Sequence, residues 1–183
     1  MTETLTHAEP DLRYPIGPMK KVQSLNEAER EAAIESIAAT PMRLRAALLG
    51  LTPEQLDTPY RPGGWTVRQL VHHIADSHMN AYLRFKWAMT EDNPTIKTYE
   101  EALWAELEDG RSTPVEVSLA LIEALHDRWV RLLRSMKPED FARTLTHPEN
   151  GPMSVDSLLG IYHWHGKHHV AHVTELRKRM NWA

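Results

Sequence analysis

The chain has no cysteine. That absence excludes disulfides, a protein thiol nucleophile and every thiolate-ligated metal site, leaving His, Asp and Glu as the strong metal ligands available. No segment supplies the roughly 18 uninterrupted apolar residues that a membrane-crossing helix needs. The polar stretch 1–10 lacks the basic-then-apolar order of a secretory signal. A cytoplasmic protein with no membrane partner is therefore expected. Charge of one sign is scarce as well. The 21 Lys and Arg and 25 Asp and Glu give a net charge of −4, with the bases scattered among acids apart from Arg177-Lys178-Arg179. Nucleic acid is not an expected partner.

The composition, 42% hydrophobic and 25% charged over 183 residues, is that of an ordinary globular chain able to build one sizeable core. One domain over 1–183 is expected, with 1–23 as an N-terminal arm. The prolines and glycine of Tyr14-Pro15-Ile16-Gly17-Pro18 disfavour helix there, and Tyr14 and Ile16 are its expected anchors.

Helical spacing follows. Asn26 is placed to cap a helix carrying Ala33, Ile37, Leu44 and Leu48, with Pro41 expected to kink it. Thr66 caps a second helix that carries Val67, Leu70, Val71 and Ile74 to about Met89. Residues 92–113 read as a crossover or lid with a short helix from Tyr99 to Leu107. A third helix begins at Pro114 and stops before Lys137-Pro138, and a fourth runs from the Ser154 cap to Met180. No alternating strand pattern appears, so the expected fold is all-α, a four-helix bundle with almost no strand. A weak repeat supports two similar halves: Leu51-Thr52-Pro53-Glu54 echoes Met136-Lys137-Pro138-Glu139, and the segment from Thr66 echoes that from Ser154.

What the sequence has in excess is histidine, 11 in all. The fourth helix reads His163-Trp164-His165-Gly166-Lys167-His168-His169-Val170-Ala171-His172. Both His165/His169 and His168/His172 are spaced i, i+4, which stacks two imidazoles on one face within reach of one ion. A third ligand must come from elsewhere, and the second helix offers His72, His73 and His78. Leu70 and Ile74 flank His73 on the helical surface, so it points inward, whereas His72 is turned by about 100°. Clustered inward imidazoles are costly to desolvate unless a metal or a hydrogen-bond network uses their lone pairs. The cluster therefore points to one divalent ion with an open coordination position, held by His73 and a pair on the fourth helix, either His165/His169, which interrupts a core face, or the overlapping His168/His172.

Other metal chemistries fit less well. Gly166 stands where a zinc peptidase of the HExxH type carries its glutamate, and a di-iron centre would need more than the single Glu123-x-x-His126. Asp76, Ser77, Asn80 and Glu175 lie one or two turns from the ligands and, together with His126, Tyr162 and His172, are candidate supporting groups. The tryptophans read as packing anchors.

The run Gly63-Gly64-Trp65-Thr66-Val67-Arg68-Gln69-Leu70-Val71-His72-His73-Ile74-Ala75-Asp76-Ser77-His78, with His165-x-x-His168-His169-x-x-His172, resembles the DinB/YfiT-like family, YfiT branch. The arm Tyr14-Pro15-Ile16-Gly17 and the segment Asp57-Thr58-Pro59-Tyr60-Arg61 extend the likeness over nearly the whole chain. The resemblance implies a four-helix bundle with a long crossover connection. It implies a metal held by one histidine of the second helix and two of the fourth, which by motif position are His73, His165 and His169. It further implies one zinc or nickel ion per chain, a cytoplasmic homodimer, and metal-dependent hydrolysis of a small-molecule substrate. The same superfamily includes S-transferases that join thiols such as bacillithiol to electrophiles, which makes a thiol cosubstrate the alternative. A non-catalytic, metal-stabilised dimeric bundle is the third reading.

Overall fold

Asn26 starts the first helix, α1 (Glu27–Leu48), by a reciprocal cap: its side chain accepts from Glu29 N–H at 3.0 Å and the Glu29 carboxylate accepts from Asn26 N–H at 2.8 Å. We describe the protein from a computed structural model covering residues 11–182. Residues 1–10, which include the start of the expected arm, and Ala183 lie outside the described residues. Pro41 is buried within α1, which runs through it as one helix. The short α2 (Pro53–Leu56) follows. Next comes α3 (Val67–Thr90), capped by Thr66 in the same reciprocal manner with Gln69. In the crossover, the one short helix expected is two, α4 (Glu101–Ala105) and α5 (Glu108–Ser112). Pro114 then precedes α6 (Val115–Ser135), and Ser154 caps α7 (Val155–Met180).

The strand expectation is corrected. A hairpin of β1 (Thr144–His147) and β2 (Gly151–Ser154) stands where almost no strand was expected, pairing Thr144 with Ser154 and His147 with Gly151. Each strand is four residues long and Leu145 alone is fully buried, too little for an alternating pattern to register. The pairing depends on distant chain: Ile96 N–H donates to Thr146 C=O at 3.0 Å and Thr146 N–H to Pro94 C=O at 2.9 Å. The repeat is visible in this region. The isolated Pro59–Thr66 bridge before α3 is the counterpart of the hairpin before α7, and α2 is the counterpart of a 3-10 helix over Pro138–Ala142.

The four long helices form a ring in which α1 packs on α6 and α7, and α3 packs on the same two. Two apolar clusters fill its ends. One holds Ile37, Phe85, Trp129 and Leu158; the other holds Leu44, Leu70, Ile122 and Val173. Between them every helix contributes polar groups at one level. Thr40 comes from α1, His73, Ser77 and His78 from α3, His126 from α6, and His165 and His169 from α7. The functional candidates thus form a polar layer across the bundle, where desolvation makes each unpaired nitrogen costly.

The arm lies along α7, but not by the expected anchors, because Tyr14 and Ile16 are exposed. Its carbonyls hold it instead: Arg13 C=O accepts from His172 Nε2–H at 3.3 Å, Gly17 C=O from Trp164 Nε1–H at 3.2 Å, and Val22 C=O from the Ser157 hydroxyl at 2.6 Å. At the start of α7 the buried Asp156 carboxylate accepts from both Arg30 Nε and a terminal Arg30 nitrogen, each at 2.7 Å, tying α7 to α1. Among the described residues no helix is long and apolar enough to cross a membrane.

Candidate metal centre

α3 and α7 pack side by side, so the inward face of one looks at that of the other. His73 leaves α3 between Leu70 and Ile74, both fully buried, and enters this interface. His165 and His169, one turn apart on α7, enter from the opposite side. The Nε2 atoms converge: His73 to His165 is 3.3 Å and His169 to His165 is 3.2 Å, with all three within 4.8 Å of one another. The indole of Trp65 covers the His73 ring, centroids 4.7 Å apart.

These distances can be tested against an ion. Two nitrogens bound at about 2.05 Å with a tetrahedral angle between them lie about 3.3 Å apart. The two shorter separations match that value. Protonation does not oppose it: burial holds His73 down at about 4, and burial, reinforced by neighbouring imidazoles, holds His165 and His169 well below the ordinary range. The rings are neutral at neutral pH and offer lone pairs. The donor set therefore fits a divalent metal with three imidazole ligands.

Behind His165 stands a chain of further imidazoles. Its Nδ1 lies 3.0 Å from His78 Nε2, His78 Nδ1 lies 2.7 Å from His126 Nε2, and His126 Nδ1 lies 2.7 Å from Ile37 C=O. The sequence named His126 as a candidate supporting group and offered His78 only as a possible third ligand, passed over for His73. His78 follows His73 by five positions, about 140° around the helix, so spacing alone turns it away. What brings it to the site is α6, whose His126 meets it.

The other candidates divide. Ser77 reaches the centre, its Oγ 3.4 Å from His165 Nε2, and its carbonyl accepts from the Tyr162 hydroxyl at 3.3 Å. Asp76 is half-buried, and burial together with the nearby Asp109 charge pushes its carboxyl up to about 6. The Asn80 side chain is spent on Asp76 C=O at 2.9 Å, and Glu175 pairs with Lys178 on the surface. Glu123, of the rejected di-iron pattern, faces outward to Arg45 at 2.7 Å. His72 is a satisfied core histidine: Thr113 C=O accepts from its Nε2–H at 3.0 Å and Ser118 Oγ meets its Nδ1 at 2.7 Å.

His168 and His172 form a second group with His169, again within 4.8 Å, and the Nδ1 atoms of all three are buried without partners. His168 stacks on Trp164 at 4.0 Å between ring centroids. Since all three sit on one helix and His169 belongs to both groups, the site that joins two helices is the first.

Gly166 has a steric explanation. A Cβ there would meet Thr40 Oγ1 at 2.7 Å, so α7 and α1 touch at the level of the site and leave no room for the glutamate of a peptidase motif.

Comparison with known proteins agrees with this fold. Residues 36–173 match the model of the DinB superfamily. The chain belongs to the DinB superfamily. A relative from Bacillus mycoides is 54% identical over 172 residues, 94% of this DinB chain and 99% of its own length. One from Bacillus anthracis is 53% identical over the same shares. Both are provisionally named as metal-dependent hydrolases. Among solved structures, YfiT from Bacillus subtilis superimposes with a TM-score of 0.92 at 46% identity, over 94% of this chain and 99% of that one. It is described, also provisionally, as a metal-dependent hydrolase with an unusual four-helix bundle topology. A second four-helix bundle protein, TT2238, is similar in fold alone, with a TM-score of 0.54 at 19% identity, over 84% of this chain and 99% of that one.

Proposed function

We propose that this DinB-superfamily protein is a metal-dependent hydrolase whose ion, zinc or nickel, is held by Nε2 of His73, His165 and His169. The observation that carries the reading is the convergence of those three nitrogens, two pairs of which stand 3.2–3.3 Å apart. Such an ion, with a position left open, supplies Lewis acidity to a carbonyl or phosphoryl oxygen and lowers the pKa of water.

The chain's own residues do the rest. The three imidazoles, held neutral by desolvation, give their lone pairs without first losing protons. Trp65 closes one side of His73 and helps to keep bulk water away. Ser77 Oγ, beside His165 Nε2, is placed to donate to a substrate oxygen. Asp76 lies one turn beyond His73 on α3, and its carboxylate oxygen takes the proton given up by the attacking water. A carboxyl pushed up to about 6 is matched to that task near neutral pH.

The test compares metal-free protein with zinc- and nickel-loaded protein on ester, amide and phosphate substrates, with and without low-molecular-weight thiols. Metal-dependent hydrolysis without thiol is the expected result. Turnover that requires the thiol and attaches it to an electrophile would replace this reading with thiol transfer. Tight metal binding without turnover on either panel would favour a structural ion.

A further inference from the structure

The relay behind His165 has a direction, and the direction is set by a backbone group. A carbonyl oxygen only accepts, so the 2.7 Å contact between Ile37 C=O and His126 requires a proton on His126 Nδ1. A neutral imidazole carries one N–H, which leaves His126 Nε2 as an acceptor. The 2.7 Å contact from that atom to His78 therefore takes its proton from His78 Nδ1, and His78 Nε2 becomes an acceptor in turn. By the same step His165 donates from Nδ1 across 3.0 Å, and its Nε2 is left bare. That bare nitrogen is the atom facing His73 and His169.

We infer that His78 and His126, anchored on the Ile37 carbonyl, are positioning residues that lock His165 into the tautomer able to bind metal and hold its ring toward the other two ligands. The inference rests on the ligand assignment proposed above. Metal-ligating histidines ordinarily give the second ring nitrogen to a carboxylate or carbonyl. Here the carbonyl lies on α1 and acts through two intervening imidazoles, from α6 and α3. Among the described residues His165 is also the one ligand of the three whose Nδ1 has a hydrogen-bond partner; the corresponding nitrogen of His169 is buried without one. The relay thus singles out His165, whose Nε2 makes both of the short contacts within the triad. Trp129 closes around the relay, its ring centroid 5.8 Å from that of His78 and 5.5 Å from that of His126, which removes water as a competing partner.

Histidine-selective 15N NMR on metal-free protein reads the tautomers directly, because protonated and bare ring nitrogens resonate far apart. The wild type is expected to show His126, His78 and His165 each protonated at Nδ1 alone. His126→Phe removes the acceptor for His78 Nδ1–H, and His165 should then become a mixture of tautomers. Zinc affinity should fall about 10- to 100-fold, the usual range when a supporting partner of a ligand is lost. His126→Gln can donate its amide N–H to Ile37 C=O and offer its oxygen to His78, so it should restore both the tautomer and most of the affinity.

A wild-type His165 protonated at Nε2 would overturn the relay, as would a His126→Phe protein with unchanged tautomer and affinity. The wild-type spectrum decides even if His126→Phe does not fold. Failure of the ligand assignment looks different: His73→Ala would keep its zinc while the tautomers read as expected.

Discussion

His73 Nε2 and His165 Nε2 lie 3.3 Å apart although 92 positions separate them in the chain. An ion between them would turn the approach into two bonds. His73→Ala should therefore abolish stoichiometric zinc binding, and so should His165→Ala/His169→Ala. His168→Ala/His172→Ala should keep one ion per chain. Elemental analysis after gel filtration checks this, and near-stoichiometric metal in the His165/His169 variant would refute the assignment. In the wild type, zinc at 100 times its Kd should raise stability by about 2.7 kcal/mol over chelator-treated protein, seen as a higher Tm.

Acid should destabilise the metal-free protein over a defined window. His73 and His126 are both buried and both held at about 4, against 6.5 for an ordinary histidine. Between those values the unfolded chain binds protons that the folded chain refuses, so stability is fully present above pH 6.5 and falls as pH drops toward 4. The loss should approach about 1.4 kcal/mol per pH unit for each group. Urea midpoints at a series of pH values measure it, and a flat profile across the window would contradict the burial argument.

Gly166→Ala should destabilise the protein despite alanine's better helix propensity. The added carbon would meet Thr40 Oγ1 at 2.7 Å, and Thr40 is a short side chain already bonded to Ser36 C=O. Overpacking of this kind costs about 1–3 kcal/mol, against a propensity gain of about 1 kcal/mol. A net loss of about 1 kcal/mol by urea denaturation is expected, accompanied by weaker zinc binding because Gly166 adjoins His165. A more stable variant would mean that α1 yields easily at this level.

Asp76→Asn separates proton transfer from metal binding. Zinc stoichiometry should be unchanged, while hydrolysis falls by roughly 100-fold or more, the usual contribution of a general base. In the wild type, kcat/KM should rise with pH through about 6 as the carboxyl ionises, and this limb should vanish in the variant. Wild-type rates for Asp76→Asn would remove the residue from the mechanism.

The helices were legible because their signals are local. Asn26, Thr66 and Ser154 are caps within three residues of the groups they satisfy, and the apolar spacing along α3, α6 and α7 repeats every turn. The proposed ligand pair His165/His169 was legible only in part, since one helical turn brings its two rings together but His168/His172 share that spacing, and the family resemblance chose between them. The hairpin was not, because its four-residue strands are held by Pro94 and Ile96 from the crossover. Nor were the carbonyl contacts of the arm, which depend on where α7 presents Trp164 and His172.

The sequence by itself determined which residue types were available for chemistry, no thiol and many imidazoles, and through periodicity it determined four helices and an inward face for His73. Tertiary structure alone decided what the other histidines of α3 do. His72 became a satisfied core group against Ser118 and Thr113, while His78, turned away by helical phase, was brought behind His165 by its contact with His126. The physical reason is range. Helical spacing governs neighbours within about one turn, whereas the partner of a buried ring nitrogen is whatever group another helix places within about 3 Å.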